Sequence, residues 1–278
     1  MQTSSRLSVL ERILLVIPLV SGLLFGLFPL LSPGAFASVT AGIPATDPFI
    51  YRLAGAATFG YAVALAFGLR QGTWTAVRLI VIAVLTFNLA SLYACGVEIV
   101  SPSTVGGTKP VIYLILAASL ALIAITATLL YRHRNDAKLG PDTASWVVTF
   151  LVIATILAAI FALTPLFYPQ LTRLFGFKVK DLFLYRQAGA ATLGYAVMGV
   201  FELRSRNWSE MRWPIVMAAV FNGLSFLASL LTITLGESYL LPALVAIASL
   251  GVTIAAIVAL RTNGSSSSER LAAPLASH

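Results

Sequence analysis

Long apolar runs separated by short polar or charged connections recur eight times along the chain. They lie at about residues 13–31, 49–69, 78–98, 110–131, 145–166, 183–203, 213–234 and 240–260. A helix crossing about 30 Å of hydrocarbon needs roughly 20 predominantly apolar residues, so each run predicts a membrane-spanning helix. Pro33, Pro110, Pro169, Pro214 and Pro242 fall at or near the ends of runs, where a missing backbone N–H costs little.

Composition narrows the class. Of 278 residues, 59% are hydrophobic and 10% charged, against about 25% charged in a soluble domain. So few charges cannot clothe a water-facing surface, but they suffice for one that meets lipid. The net charge of +8 does not point to nucleic acid, because the basic residues sit in short clusters between the runs. One alternate set of connections holds Arg6, Arg12, Arg70, Arg78, Arg132, Arg134, Lys138, Arg204, Arg206, Arg212, Arg261 and Arg270. The other holds only Lys109, Arg173, Lys178 and Lys180. The positive-inside rule then predicts a multi-pass cell-membrane protein with both termini in the cytoplasm. Arg6 and Arg12 before an apolar run also fit a signal peptide, but the run is longer than the usual 7–15 residues and has a counterpart later in the chain; a retained first helix is expected.

Comparing the chain with itself adds most. The segment from Asp47 to Val63 aligns with Asp181 to Val197 at an offset of 134, with 13 of 17 positions identical. The same offset pairs Arg70 with Arg204, Trp74 with Trp208, Asn88 with Asn222 and Ser91 with Ser225. At an offset of 136, Phe25, Leu27, Pro29, Leu30 and Pro33 match Phe161, Leu163, Pro165, Leu166 and Pro169. The expected fold is therefore an all-α integral membrane protein of eight helices in two tandem parallel four-helix repeats, residues 1–140 and 141–261, followed by a flexible cytoplasmic tail at 262–278. Four spans per repeat give both the same orientation, which points to duplication of a four-helix unit.

Candidate chemistry is sparse. Arg52 and Arg186 are equivalent residues about one turn inside spans 2 and 6, and intramembrane charge is a functional hypothesis by default. They could bind an anionic or polar group between the repeats, snorkel to lipid phosphate, or pair with an acid. Asp47 and Asp181 are expected to cap the helices that follow, with Glu98 and Glu237 as further candidate partners. Tyr61, Tyr195, Thr58 and Thr192 could supply hydroxyls to a cavity. Asn88 and Asn222, near mid-span, are expected to hydrogen-bond across helices or to line a polar pathway. Arg52, Ala56 and Gly60, like Arg186, Ala190 and Gly194, set small residues at helical spacing and predict close-packed seams, as do Gly22 and Gly26. Glu202, where Gly68 stands in the first repeat, is expected to pair with Arg206.

Absences weigh as much. His133 and His278 lie outside the runs, no lysine lies inside one, and Cys95 is the single cysteine. No cofactor, metal site or catalytic triad is therefore expected. The Arg-x-Ala-Gly-Ala-Ala-Thr-x-Gly block resembles small bacterial four-helix membrane families such as the DoxX-like group; no residue role or activity is carried over from that likeness. The leading functional reading is a structural or accessory membrane subunit that docks other subunits or a second copy; the alternative is a protein that binds or transports a small or lipid-like molecule between the repeats near Arg52 and Arg186. A membrane enzyme comes third.

Overall fold

The computed structural model describes residues 5–39, 47–102, 109–136, 139–176, 181–236 and 240–272, with the side chains of the last helix described to Asn263. Its elements are α1 (Val9–Leu31), α2 (Pro33–Val39), α3 (Pro48–Gln71), α4 (Trp74–Val100), α5 (Pro110–Arg132), α6 (Ser145–Phe167), a 3-10 turn (Pro169–Phe175), α7 (Leu182–Ser205), α8 (Trp208–Thr234) and α9 (Leu240–Ala272). No strand occurs among the described residues.

Local chemistry explains the helix ends. Ser8 and Glu11 form a capping box, so α1 starts a turn before the apolar run. Pro48 and Pro110 occupy first-turn positions of α3 and α5, where the absent N–H would have been an orphan anyway. Gly72, at φ 74°, ends α3 in the left-handed region that favours glycine. Pro169 opens the 3-10 turn beyond α6. Helix α9 continues to Ala272, past residue 261.

Among the described residues seven helices are long and apolar enough to cross a membrane: α1, α3, α4, α5, α6, α8 and α9. Helix α7 is 24 residues long but less apolar, because it carries Arg186, Gln187, Glu202 and Arg204. Its position explains the difference, since it packs against α4 on one side and α6 on the other and need not present a continuous apolar face to lipid. Helices α3 and α4 are likewise central, 61% and 56% buried along their apolar windows against 17% for α6. The outer helices turn large apolar side chains outward, among them Leu24, Leu120, Ile153, Ile156, Ile247 and Ile254.

Close backbone contacts hold the central helices. A Cβ on Gly55 would stand 2.6 Å from the Gly26 carbonyl and 2.8 Å from the Leu30 nitrogen, and one on Gly189 would stand 2.6 Å from the Ala162 carbonyl and 2.7 Å from the Leu166 nitrogen. Only glycine admits these α1–α3 and α6–α7 contacts.

One end of the molecule gathers the connections rich in Arg. Leu7 and Gly72, Trp74 and Ser5, and Thr143 and Arg206 share backbone hydrogen bonds there. Arg78 pairs with Glu210 at 2.9 Å. Glu11 contacts His133 at 3.1 Å and Arg132 at 3.5 Å, while His133 stacks on Trp74 and reaches Asp136 at 2.9 Å.

Candidate functional site

The centre is closed by two tyrosines. The Tyr61 hydroxyl donates to the Ala191 carbonyl and the Tyr195 hydroxyl to the Ala57 carbonyl, both at 2.7 Å. Tyrosine and acceptor each obey the offset of 134. The rings meet edge to face with centroids 5.0 Å apart, and each hydroxyl lies over a glycine, Tyr195 over Gly60 and Tyr61 over Gly194. The small residues expected to form seams thus admit this chain's own side chains.

Two cavities flank that closure. One, of about 150 Å³, lies among α1, α3, α4 and α5, with Phe183, Leu184 and Gln187 of α7 on one wall, and is lined by Thr58, Tyr61, Phe87, Asn88, Ser91 and Ser119 among others. The second, of about 270 Å³, lies among α6, α7, α8 and α9, with Ile50, Leu53 and Ala54 of α3 on one wall, and is lined by Thr192, Tyr195, Phe221, Asn222, Ser225 and Ser249 among others. The first five of each set correspond at the offset of 134. The volumes sit at or below the lower end of the roughly 300–1,000 Å³ typical of small-molecule pockets, and the mainly apolar lining with a few polar groups is typical too.

Most polar groups facing the cavities are already engaged. Thr58 and Thr192 donate to the Ala54 and Ala188 carbonyls one turn back. The Asn88 and Asn222 amides donate to Val84 and Ala218 in their own helices and not across helices as expected, and both side chains line the cavities. In the first cavity Ser119 donates to Ser91 at 3.1 Å. In the second, Ser225 Oγ is buried without a hydrogen-bond partner among the described residues.

The arginines line neither cavity. They sit at the end of the molecule away from the Arg-rich connections, inside a charged cluster. Arg186 Nη1 lies 4.0 Å from Glu98 Oε2, with both side chains largely buried. Arg52, only 8% exposed, donates to Thr232 Oγ1 at 3.4 Å. Thr232 is the position 134 residues beyond Glu98, so the two arginines reach corresponding sites on α8 and α4. Asp181 accepts from the backbone N–H of Phe183 and Leu184, and Asp47 from Ile50, as capping requires. Asp47 also accepts from the Tyr185 hydroxyl at 2.6 Å. Glu237 lies outside the described residues.

Glu202 differs from its expected role. It does not pair with Arg206, whose Nε donates to the Leu203 carbonyl. Arg206 takes the left-handed cap position of α7, which turns its side chain away. Glu202 is instead 3% exposed, lines the second cavity, and its Oε1 has no hydrogen-bond partner among the described residues. Its signal in the sequence was the replacement of a glycine by a carboxylate inside an apolar run. Among the described residues no three His, Cys, Asp or Glu gather into a metal site.

No family model, curated protein or solved structure matches the chain, so the likeness to the DoxX-like group rests on the Arg-x-Ala-Gly-Ala-Ala-Thr-x-Gly block alone.

Proposed function

We propose that the chain is an eight-span cell-membrane protein, built as two parallel four-helix repeats with both termini in the cytoplasm, and that a small apolar or lipid-like molecule sits in each of two corresponding cavities, one built mainly by each repeat. The observation that carries this reading is the correspondence of the two linings: Thr58, Tyr61, Asn88 and Ser91 around one cavity, and Thr192, Tyr195, Asn222 and Ser225 around the other. The gathering of Arg-rich connections at one end supports the orientation. The burial of α7 supports counting it as the eighth span, since a central helix tolerates lower apolarity.

In this reading the ligands sit in the two flanking cavities and not at the arginines, because Tyr61 and Tyr195 fill the centre and neither arginine lines a cavity. The accessory-subunit reading has less support. The small-residue seams that would dock a partner are occupied by the chain's own Leu30, Phe59, Leu166 and Tyr195.

Extraction of the full chain from its native membrane in mild detergent, with mass spectrometry of what copurifies, tests the choice. An apolar small molecule is expected. A second protein in stoichiometric amount, with no small molecule, would favour the accessory subunit.

A further inference from the structure

The two cavities differ where their chemistry is open. In the first, the position corresponding to Glu202 is Gly68, closed off by Val77 at 2.7 Å from where a Cβ would stand, and Ser91 is satisfied by Ser119. In the second, Glu202 Oε1 and Ser225 Oγ are both buried and unpartnered among the described residues. Glu202 lies three residues before the end of α7 and Ser225 seventeen residues into α8, a separation of about 20 Å along the helices at 1.5 Å per residue. The second cavity is therefore an elongated apolar channel with an open carboxyl at its Arg-rich end.

No Lys, Arg or His lines this cavity. Arg206 turns to a backbone carbonyl, and the Arg204 guanidinium lies over the Phe201 ring. An uncompensated acid at membrane depth is costly and marks a functional site by default, and a buried carboxylate is best compensated by a positive donor in direct hydrogen-bond contact. None of the described residues that line the cavity supplies one. The lining near Glu202 is mainly apolar, with Met198 and Ile215, and includes the Thr155 hydroxyl against Gly199. On the outer side, Ile160 and Phe161 both line the cavity and are exposed, which gives an apolar solute a route from the lipid.

Resting on the cavity reading above, we infer that the second cavity receives a lipophilic amine, its ammonium against Glu202 and its apolar tail extended toward Ser225. The first cavity, with no acid, takes neutral apolar molecules without this preference.

The test uses the full chain in phosphatidylcholine nanodiscs and two probes with the same tail, dodecylamine and 1-dodecanol, corrected for partition into empty nanodiscs. In the Ala118→Trp background, which fills the first cavity, dodecylamine should bind at least tenfold more tightly than dodecanol. Adding Glu202→Gln should abolish that preference while dodecanol binding persists. Equal affinity for the two probes before that change, or a preference that survives Glu202→Gln, overturns the amine assignment and leaves the cavity reading standing. Adding Ala248→Trp instead, which fills the second cavity, should remove both probes. Undiminished binding of both overturns the cavity reading itself. If Glu202→Gln does not fold, the probe ratio measured with Glu202 intact decides the amine assignment alone.

Discussion

Tyr61 and Tyr195 each donate a hydrogen bond to a backbone carbonyl on the other's helix, Tyr61 to Ala191 and Tyr195 to Ala57, at the same 2.7 Å. A buried tyrosine needs a partner for its hydroxyl, and here each finds one that also seals the centre of the bundle. Tyr61→Phe and Tyr195→Phe should therefore destabilise the protein by similar amounts, about 1 kcal/mol each. Because the rings touch, the double variant should depart from additivity. Thermal unfolding of the purified protein in one detergent checks both statements.

The glycines beneath those hydroxyls give a sharper contrast. A Cβ on Gly194 would stand 2.6 Å from the Ala83 carbonyl, whereas one on Gly60 would stand 3.0 Å from the Met217 carbonyl. Gly194→Ala should cost about 1–3 kcal/mol as overpacking, and Gly60→Ala less. Gly96→Ala, with open space around it, should be neutral or stabilising by up to about 1 kcal/mol, since alanine is the better helix former. Melting temperatures of the three variants order them.

The charged cluster should respond unequally at corresponding positions. Glu98→Gln leaves Arg186 buried without its acid, and losing one partner of a buried pair costs on the order of 3 kcal/mol. Thr232→Val removes a neutral hydroxyl from Arg52 and should cost about 1–2 kcal/mol. Denaturation of the two variants, with Arg186→Gln plus Glu98→Gln as the relieved double, measures the difference.

At the opposite end, burial pushes the Asp136 carboxyl up, but hydrogen bonds from Ser5 and His133 and the His133 charge outweigh it and hold the carboxyl below its ordinary value. A lowered folded-state value contributes stability that is present above the unfolded value and is lost as pH falls through the folded one. The melting-temperature advantage over Asp136→Asn should therefore be present above the unfolded carboxyl value and be lost as pH falls below it. An advantage that grows with acid would have the wrong sign.

The spacing of apolar runs located the seven helices that are long and apolar enough to cross a membrane, because lipid demands length and apolarity together; α7 was located as a helix but is less apolar than these. Thr58, Tyr61 and Asn88 could be grouped with Thr192, Tyr195 and Asn222 for the same reason that makes them recur, the 134-residue offset. What could not be read was the side of each helix that faces a neighbour in the other half. That left Thr232 opposite Arg52 unnoticed, and Glu202 was assigned to Arg206 by helical spacing alone, which ignores the left-handed turn that ends α7. Periodicity describes one helix at a time; both cavities are products of how several helices fail to close.

The most direct test of two separate cavities is native mass spectrometry of the detergent-released protein, counting bound small molecules in the wild type and in three variants. Two molecules per chain are predicted for the wild type, and one each for Ala118→Trp and Ala248→Trp, which fill the first and second cavities. Both should remain when Arg52→Ala and Arg186→Ala are combined with Glu98→Gln. Full occupancy in both tryptophan variants, with loss in the arginine variant, would contradict the account and return the ligand to the interface between the halves.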